Sequence, residues 1–163
     1  LTWVAVLLGG PAMVLTIVEA LVPDHRGVAV VSAAFHAPFY LYVSWAMVRY
    51  LFADRKVTRD ELLAVGAAFT VVAWAFAYVF SGVQAIWPGS FTGFGDPGDR
   101  TWFDLLFASF ANLTGVGLSD VVPVLPRARS VVMVEQVTGV MYVALVISRL
   151  VGLTIAPANA EER

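Results

Sequence analysis

The residues whose types and spacing could bind an ion lie in one short stretch of the chain. The stretch starts at Leu113-Thr114, continues as Gly115-Val116-Gly117-Leu118-Ser119-Asp120, and is followed by Pro123. Glycine adopts positive φ readily, so the carbonyl groups of successive residues can point to one side of the backbone. Carbonyl oxygens that face a common axis can replace the hydration shell of a cation. The stretch therefore predicts a cation site made of main-chain oxygens.

A short helix has to position this stretch. Thr101 and Asp104 have the spacing of a capping box, although Asp is weaker than Glu in that role, and an apolar run follows them. The predicted helix covers residues 102–113, which is too short to cross a bilayer. A short helix followed by irregular backbone at membrane depth is a re-entrant loop. The C-terminal carbonyl end of such a helix carries partial negative charge and favours a cation.

The composition is typical of a membrane protein. Of the 163 residues, 60% are hydrophobic and 13% are charged, and the mean hydropathy is +0.81. Soluble domains have about 45–50% apolar and about 25% charged residues. The net charge of −2 gives no indication of nucleic-acid binding, and the lack of cysteine excludes disulfides and thiolate metal sites. With no Ser/His/Asp set, metal cluster or phosphate loop, the chain is predicted not to be an enzyme.

Four apolar segments are long enough to cross a hydrocarbon core of about 30 Å. They cover residues 2–22, 28–48, 62–87 and 130–153. The predicted fold is an all-α membrane protein with four transmembrane helices and one re-entrant pore helix with its loop. Residues 1–56 hold two spans without a series of arginines at three-residue spacing, so they are predicted to form an outer helical layer and not a voltage sensor.

The distribution of basic residues predicts the orientation. The loop between the second and third spans has the densest cluster, formed by Arg49, Arg55, Lys56 and Arg59. This loop and both termini are therefore predicted to be cytoplasmic, and residues 88–129 to face outside, although three arginines in that region count against it. The high Ala and Val content and the compact length favour a multi-pass protein of a prokaryotic plasma (inner) membrane.

The part of the chain from residue 62 to residue 153 resembles the pore module of the potassium-channel superfamily. The filter of that family reads T-V-G-Y-G-D, often after Leu-Thr and with a proline three residues later, and this chain has L-T, G-V-G-L-S-D and the proline. The resemblance implies a pore domain over residues 57–156, with outer helix 62–87, pore helix 102–113, filter 114–120 and inner helix 130–153. It also implies a homotetramer in contact with membrane lipid that conducts monovalent cations passively and needs no cofactor.

The resemblance assigns roles to single residues. K⁺ or Na⁺ would bind the main-chain carbonyls of Gly115, Val116, Gly117 and Leu118. Support of the filter and formation of the outer mouth would fall to Thr114, Ser119 and Asp120. The inner helix would bend at Gly139, as at the hinge glycine of many family members. Its lower part would line the cavity and the gate with Val140, Val143, Ile147 and Val151.

Three departures from the family filter weaken the expected preference for K⁺ over Na⁺. Gly115 replaces a threonine and removes a hydroxyl ligand, and Leu118 replaces the tyrosine whose phenol ties the filter to the pore helix. Ser119 replaces a glycine that is often at positive φ, which costs a non-glycine residue about 1 kcal/mol. Alternatives are a fully K⁺-selective channel, a non-conducting membrane sensor or scaffold, and a secondary-transporter subunit, although only one re-entrant region is apparent.

The remaining polar residues of the spans favour structural interpretations. Glu135 is expected to be buried and bonded to pore-helix groups rather than to line the pore, although an intramembrane carboxylate is a functional candidate by default. His36 is expected to be a packed histidine rather than a proton sensor, and Glu19 a satisfied interfacial carboxylate. Arg149 is expected to snorkel away from the axis. The aromatic residues expected to pack against the outer and inner helices are Phe103, Phe107 and Phe110.

Overall fold

The computed structural model describes residues 2–22, 25–51, 59–93 and 98–155. Within these residues the chain forms five helices: α1 (Thr2–Leu21), α2 (Arg26–Leu51), α3 (Arg59–Ile86), α4 (Trp102–Leu113) and α5 (Pro126–Ile155). Four of them are long and apolar enough to cross a membrane, whereas α4 has only 12 residues. The all-α membrane architecture predicted from the sequence is confirmed. The basic residues Arg55 and Lys56 of the orientation argument lie outside the described residues.

Three helices begin earlier than the apolar pattern indicates. The helix α5 starts at Pro126 and not near residue 130, α3 starts at Arg59 and not at residue 62, and α2 starts at Arg26 and not near residue 28. The hydropathy pattern marks where the apolar run begins, whereas the helix includes the polar turn before it. Proline fits the first position of α5 because its fixed φ suits a helix and its missing N–H would have no partner there.

The helix α3 forms the centre of the fold. It contributes four alanines that are completely buried, namely Ala68, Ala73, Ala75 and Ala77. Small side chains allow membrane helices to approach closely. The helices α2, α4 and α5 all pack against α3. The larger core residues form one cluster that joins α3, α4, α5 and the segment after the filter: Val72, Phe76, Phe80, Val83, Phe91, Leu105, Leu113, Val121 and Val132.

His36 links the two N-terminal helices to α3. Its side chain is buried, with Nε2 3.0 Å from the Thr16 hydroxyl of α1 and Nδ1 3.0 Å from the Ser32 hydroxyl of α2. Its ring lies parallel to that of Tyr78 in α3, with 4.2 Å between the ring centroids. Thr16 also lies 3.1 Å from the Ala12 carbonyl, and His36 Nδ1 lies 3.0 Å from the Ser32 carbonyl. The histidine is therefore packed with both ring nitrogens in hydrogen-bond contact.

Aromatic contacts continue from this point to the start of α4. The ring of Tyr78 lies 5.5 Å from that of Trp102, the first residue of α4, and Trp74 lies 5.3 Å from Trp102 on the same side. Ring pairs at these separations contribute about 0.5–1.5 kcal/mol beyond the area they bury. The N-terminal helices therefore contact the re-entrant helix through α3.

Polar contacts fix both ends of the loop around α4. Gln84, near the end of α3, bonds the main chain of Arg100 twice: its Nε2 donates to the carbonyl oxygen at 2.9 Å, and its Oε1 accepts from the N–H at 2.8 Å. Farther along the chain, β1 (Phe91–Thr92) pairs antiparallel with β2 (Val122–Pro123). The strand pair joins the segments before and after the re-entrant region and was not predicted from the sequence.

The double hydrogen bond of Gln84 predicts the effect of removing it. Gln84→Met keeps the length of the side chain but removes both hydrogen bonds to the half-buried main chain of Arg100, so we expect a loss of about 2 kcal/mol in unfolding free energy. Thermal unfolding in detergent would measure the loss. Thr70→Val is the control, since the exposed Thr70 bonds only within its own helix. An equal effect of both substitutions would contradict the assigned role of Gln84.

Candidate functional site

The helix α4 is capped at its N-terminus as the sequence predicts. Thr101 has extended backbone, with φ −66° and ψ 159°, and its hydroxyl accepts from the N–H of Asp104 at 3.2 Å. The Asp104 carboxylate accepts from the N–H of Thr101 at 2.9 Å, which completes a capping box. The cap fixes where the helix begins. Because the helix has 12 residues, the cap also fixes where the loop after its C-terminal end starts.

One face of α4 is buried and one is open. Its buried residues are Leu105, Leu106, Ala108, Ser109, Ala111 and Leu113. Of the three phenylalanines, Phe110 packs against the core, but Phe103 is 72% exposed and Phe107 is 49% exposed. The expectation that all three pack against the outer and inner helices is therefore wrong for Phe103 and Phe107, because their positions face away from α3 and α5. With Leu118 they line a groove of about 530 Å³ beside the filter segment.

Three of the last four carbonyls of α4 accept hydrogen bonds from the loop. The N–H of Thr114 donates to the Phe110 carbonyl at 3.0 Å, and the Thr114 hydroxyl lies 2.7 Å from the same oxygen. The N–H of Gly117 donates to the Ala111 carbonyl at 2.8 Å, and that of Gly115 to Asn112. Such bonds satisfy groups that a helix end leaves without partners. The Thr114 hydroxyl therefore supports the loop from the helix side.

The segment after α4 alternates in backbone handedness. Gly115 has φ +74° and Gly117 has φ +67°, whereas the described non-glycine residues all have negative φ. The alternation requires glycine at these two positions, and it lets successive carbonyls turn toward one side. In the part of the chain that the structure describes, the carbonyls of Gly115, Val116 and Leu118 accept no hydrogen bond. Unpaired main-chain oxygens of this kind are suitable ligands for a dehydrated cation.

Ser119 and Asp120 close the segment on its far side. Ser119 does not adopt positive φ, so the strain expected from replacing a glycine there is absent. Its hydroxyl accepts from the N–H of Val121 at 3.0 Å, and its own N–H donates to the Gly117 carbonyl at 3.1 Å. The Asp120 side chain is exposed beside this turn and forms no ion pair with the described residues. It carries a negative charge next to the exposed carbonyls.

Gly139 brings α5 into direct contact with the end of α4. A Cβ atom at position 139 would overlap the carbonyl oxygen of Leu113, the last residue of α4. One turn earlier, Gln136 donates to the Asn112 side chain at 3.3 Å. Glu135 is completely buried and contacts the Ser109 hydroxyl of α4, as the sequence predicts. The hinge at Gly139 stays a prediction, whereas its close packing is observed.

A line of apolar side chains on α5 is open in the single chain. Val140, Val143, Ile147 and Val151 are all exposed, and their spacing puts them on one face of the helix. Val116 and Leu118 in the filter segment are 70% and 77% exposed. The predicted ion-binding and cavity residues thus lie on surfaces that no other described part of the chain covers.

Sequence reasoning missed the polar contacts behind the filter segment. Ser109, Asn112 and Gln136 hold α4 against α5, and Ser109 also lies 2.8 Å from the Ala73 carbonyl of α3. These contacts could have been predicted from the presence of polar residues in apolar helices, since polar side chains inside a membrane form hydrogen bonds across helix interfaces.

The same part of the chain, from α3 to α5, is similar to a known protein family. A model of the protein family described as "ion channel" matches residues 66–155, which is more than half of the 163 residues. The matched region includes most of α3, all of α4 and α5, and the filter segment. Searches of the curated proteins and of the solved structures returned no match.

The contact at Gly139 predicts opposite effects for two alanine substitutions. Gly139→Ala forces α5 away from the Leu113 carbonyl, and overpacking of this kind costs about 1–3 kcal/mol. Gly66→Ala, on α3 with nothing near its Cβ position, gains about 0.5–1 kcal/mol of helix stability. Thermal unfolding of both variants in the same detergent would compare them. Equal stability of the two variants would contradict the close contact.

Proposed function

Because this chain belongs to the ion channel family, we propose that it is a cation channel that conducts K⁺ passively, with weakened selectivity against Na⁺. The proposed ligands are the main-chain carbonyls of Gly115, Val116, Gly117 and Leu118. The observation that carries the proposal is the alternation of positive and negative φ directly after α4, with three of these carbonyls unbonded. The partial negative charge at the end of α4 adds to their attraction for a cation.

One chain offers one filter segment, which cannot surround an ion by itself. We therefore propose a ring of identical chains, and the resemblance to potassium channels favours a homotetramer with cyclic symmetry. The exposed Phe103, Phe107 and Leu118 support this assembly, because they line one groove beside the filter segment that a neighbouring chain can fill. The outer surface of α1 is apolar and suits contact with membrane lipid.

The proposed ion path runs along the residues that remain open in one chain. Cations gather near Asp120, lose water against the carbonyls of residues 115–118, and enter a cavity lined by α5. Its apolar lining consists of Val140, Val143, Ile147 and Val151, of which the lower pair can gate by dewetting. Gly139 is the proposed hinge. We propose a plasma membrane location with both termini in the cytoplasm, on the basic cluster between α2 and α3.

The proposed weak selectivity follows from what holds the filter segment. Gly115 has no hydroxyl to add to the carbonyl ligands, and Leu118 has no polar group to tie the segment to a pore helix. The Gly117 carbonyl accepts from the N–H of Ser119, so it is shared between this turn and the proposed site. A loosely held set of carbonyls discriminates less sharply between cations of different size.

Flux through liposomes tests the proposal directly. Purified protein should release K⁺ and, to a lesser extent, Na⁺ down their gradients. Gly117→Ala should reduce both fluxes roughly tenfold, because alanine is strained at positive φ. Gly66→Ala is the matched control, since Gly66 lies in α3 away from the segment. Native mass spectrometry of the same sample should give the mass of four chains.

Each other result has a definite meaning. Flux of K⁺ alone would show that the altered filter is fully selective. Absence of flux for both ions, in the wild type and both variants, would contradict conduction and favour a non-conducting sensor. A monomeric mass would contradict the proposed ring.

Restoring family residues should sharpen selectivity. The double variant Leu118→Tyr with Ser119→Gly places a larger, polar ring in the groove beside Phe103 and Phe107 and makes positive φ accessible at position 119. We expect the K⁺/Na⁺ flux ratio to rise relative to the wild type. Leu118→Phe with Ser119→Gly is the control that lacks only the hydroxyl. A ratio that is unchanged in both variants would contradict the role assigned to these positions.

A further inference from the structure

We propose that Glu135 is a neutral carboxylic acid whose O–H donates to Ser109, and that it acts as a positioning residue for the end of α4. The part of the proposal that concerns conduction rests on the proposed channel function. The part that concerns the proton does not. Neither the family match nor the resemblance assigns a role to Glu135.

Glu135 lies where three helices meet. It is on α5, it contacts the Ser109 hydroxyl of α4, and Ser109 in turn lies 2.8 Å from the carbonyl oxygen of Ala73 on α3. All three residues are completely buried. The second carboxyl oxygen of Glu135, Oε2, is buried and has no hydrogen-bond partner in the part of the chain that the structure describes.

The number of protons available decides which group donates. Ser109 has one hydroxyl hydrogen but two oxygen neighbours, and the Ala73 carbonyl can only accept. The hydroxyl hydrogen therefore goes to Ala73, because otherwise two acceptor oxygens would face each other across 2.8 Å without a hydrogen. The Ser109 oxygen then accepts, and the only group that can supply the proton is Glu135. A carboxylate has none to give.

The surroundings of Glu135 also disfavour its ionised form. A buried carboxylate needs a cation or several donors, and Oε2 has neither. The two arginines at the start of α5 are engaged elsewhere: Arg127 lies over the Trp87 ring, and Arg129 donates to the Pro123 carbonyl. Arg149 lies 14 residues farther along α5, roughly 21 Å away along the helix axis. On α4, the one acid is Asp104, in the capping box at the opposite end from Leu113.

The position of this bond connects it to the filter segment. Glu135 is one turn before Gly139, which contacts Leu113, and it is next to Gln136, which bonds Asn112. The contacts from Glu135 to Ser109 and from Ser109 to Ala73 form a hydrogen-bond relay across three helices. This relay fixes α4 within its length, and the contacts of Gly139 and Gln136 fix its end. Gly115 and Gly117 follow directly after α4, so a rotation of α4 would change the direction of their carbonyls.

Infrared spectroscopy tests the proton directly on the full chain. The difference spectrum of wild type minus Glu135→Gln, at neutral pH, isolates one carboxyl group. We expect the C=O stretching band of a protonated carboxylic acid. Ser109→Ala should shift the frequency of this band, because the hydrogen bond from the acid is lost. Bands of a carboxylate in its place would overturn the proposal, whatever the protein conducts.

Flux measurements test the positioning role. Glu135→Gln keeps a neutral donor in the same place, so the fluxes of K⁺ and Na⁺ and their ratio should stay within twofold of wild type. Glu135→Met has similar length but no donor, and we expect the K⁺ flux to fall roughly tenfold with a changed K⁺/Na⁺ ratio. Loss of flux in Glu135→Gln to the level of Glu135→Met would show that charge is required and would overturn the proposal.

The outcomes separate this proposal from the proposed function. If the wild type conducts no ions, the channel function fails, but the infrared band still decides the protonation of Glu135. If Glu135→Met does not fold, Glu135→Gln and Ser109→Ala remain informative, because one preserves and the other removes the bond. Wild-type fluxes in Ser109→Ala, with an unshifted band, would refute the relay.

Discussion

The main chain after Leu113 leaves the helical hydrogen-bond ladder, and inside a bilayer no water replaces the lost partners. The chain supplies partners for only some of the main-chain groups of this segment. The N–H groups of Gly115 and Gly117 return to carbonyls of α4, and that of Val121 is accepted by the Ser119 hydroxyl. Several carbonyls of the same segment accept nothing from the described chain. The N–H groups of Val116, Leu118 and Asp120 also have no partner among the described residues. The segment therefore leaves both donors and acceptors open, and its row of carbonyl oxygens is the part suited to holding a cation.

The rest of the fold supports this segment from behind. A central helix with completely buried alanines lets α2, α4 and α5 approach, and small or polar groups provide contacts where they meet. Gln84 fixes the entry to α4, the pair β1–β2 joins the two arms of the loop, and Gly139 fixes the helix end. None of these contacts is large. They act together because each restrains a different end of the re-entrant region.

Much of the fold could be predicted from the sequence because long apolar runs and a capping pair are local signals. The helix over residues 102–113 and the four candidate spans belong to this class. The contacts that hold the site are non-local, and a single sequence does not contain them. Gly139 shows the difference: the resemblance to potassium channels predicts a hinge there, which stays a prediction, whereas the close approach of two backbones at this residue is visible only in the structure.

The exposed phenylalanines and Ser119 differed from expectation for related reasons. Apolar side chains on a short helix were expected to pack within the chain, but Phe103 and Phe107 face the side that the chain leaves open. Ser119 was expected to inherit the backbone angle of a glycine, but its hydroxyl accepts from the N–H of Val121 in a conformation without strain. In both cases the residue type was read correctly and its surroundings were not available from the sequence.

The contact between Gly139 and Leu113 has a thermodynamic consequence for a channel. With no side chain between them, the backbone of α5 and the end of α4 form one joint. In the proposed channel, a tilt of α5 that widened the lower pathway would change the free energy of ions bound above it. Linkage would require the reverse effect to be equal, so occupancy of the upper sites would shift the open–closed equilibrium by the same factor. The permeating ion would then act as an effector of its own gate.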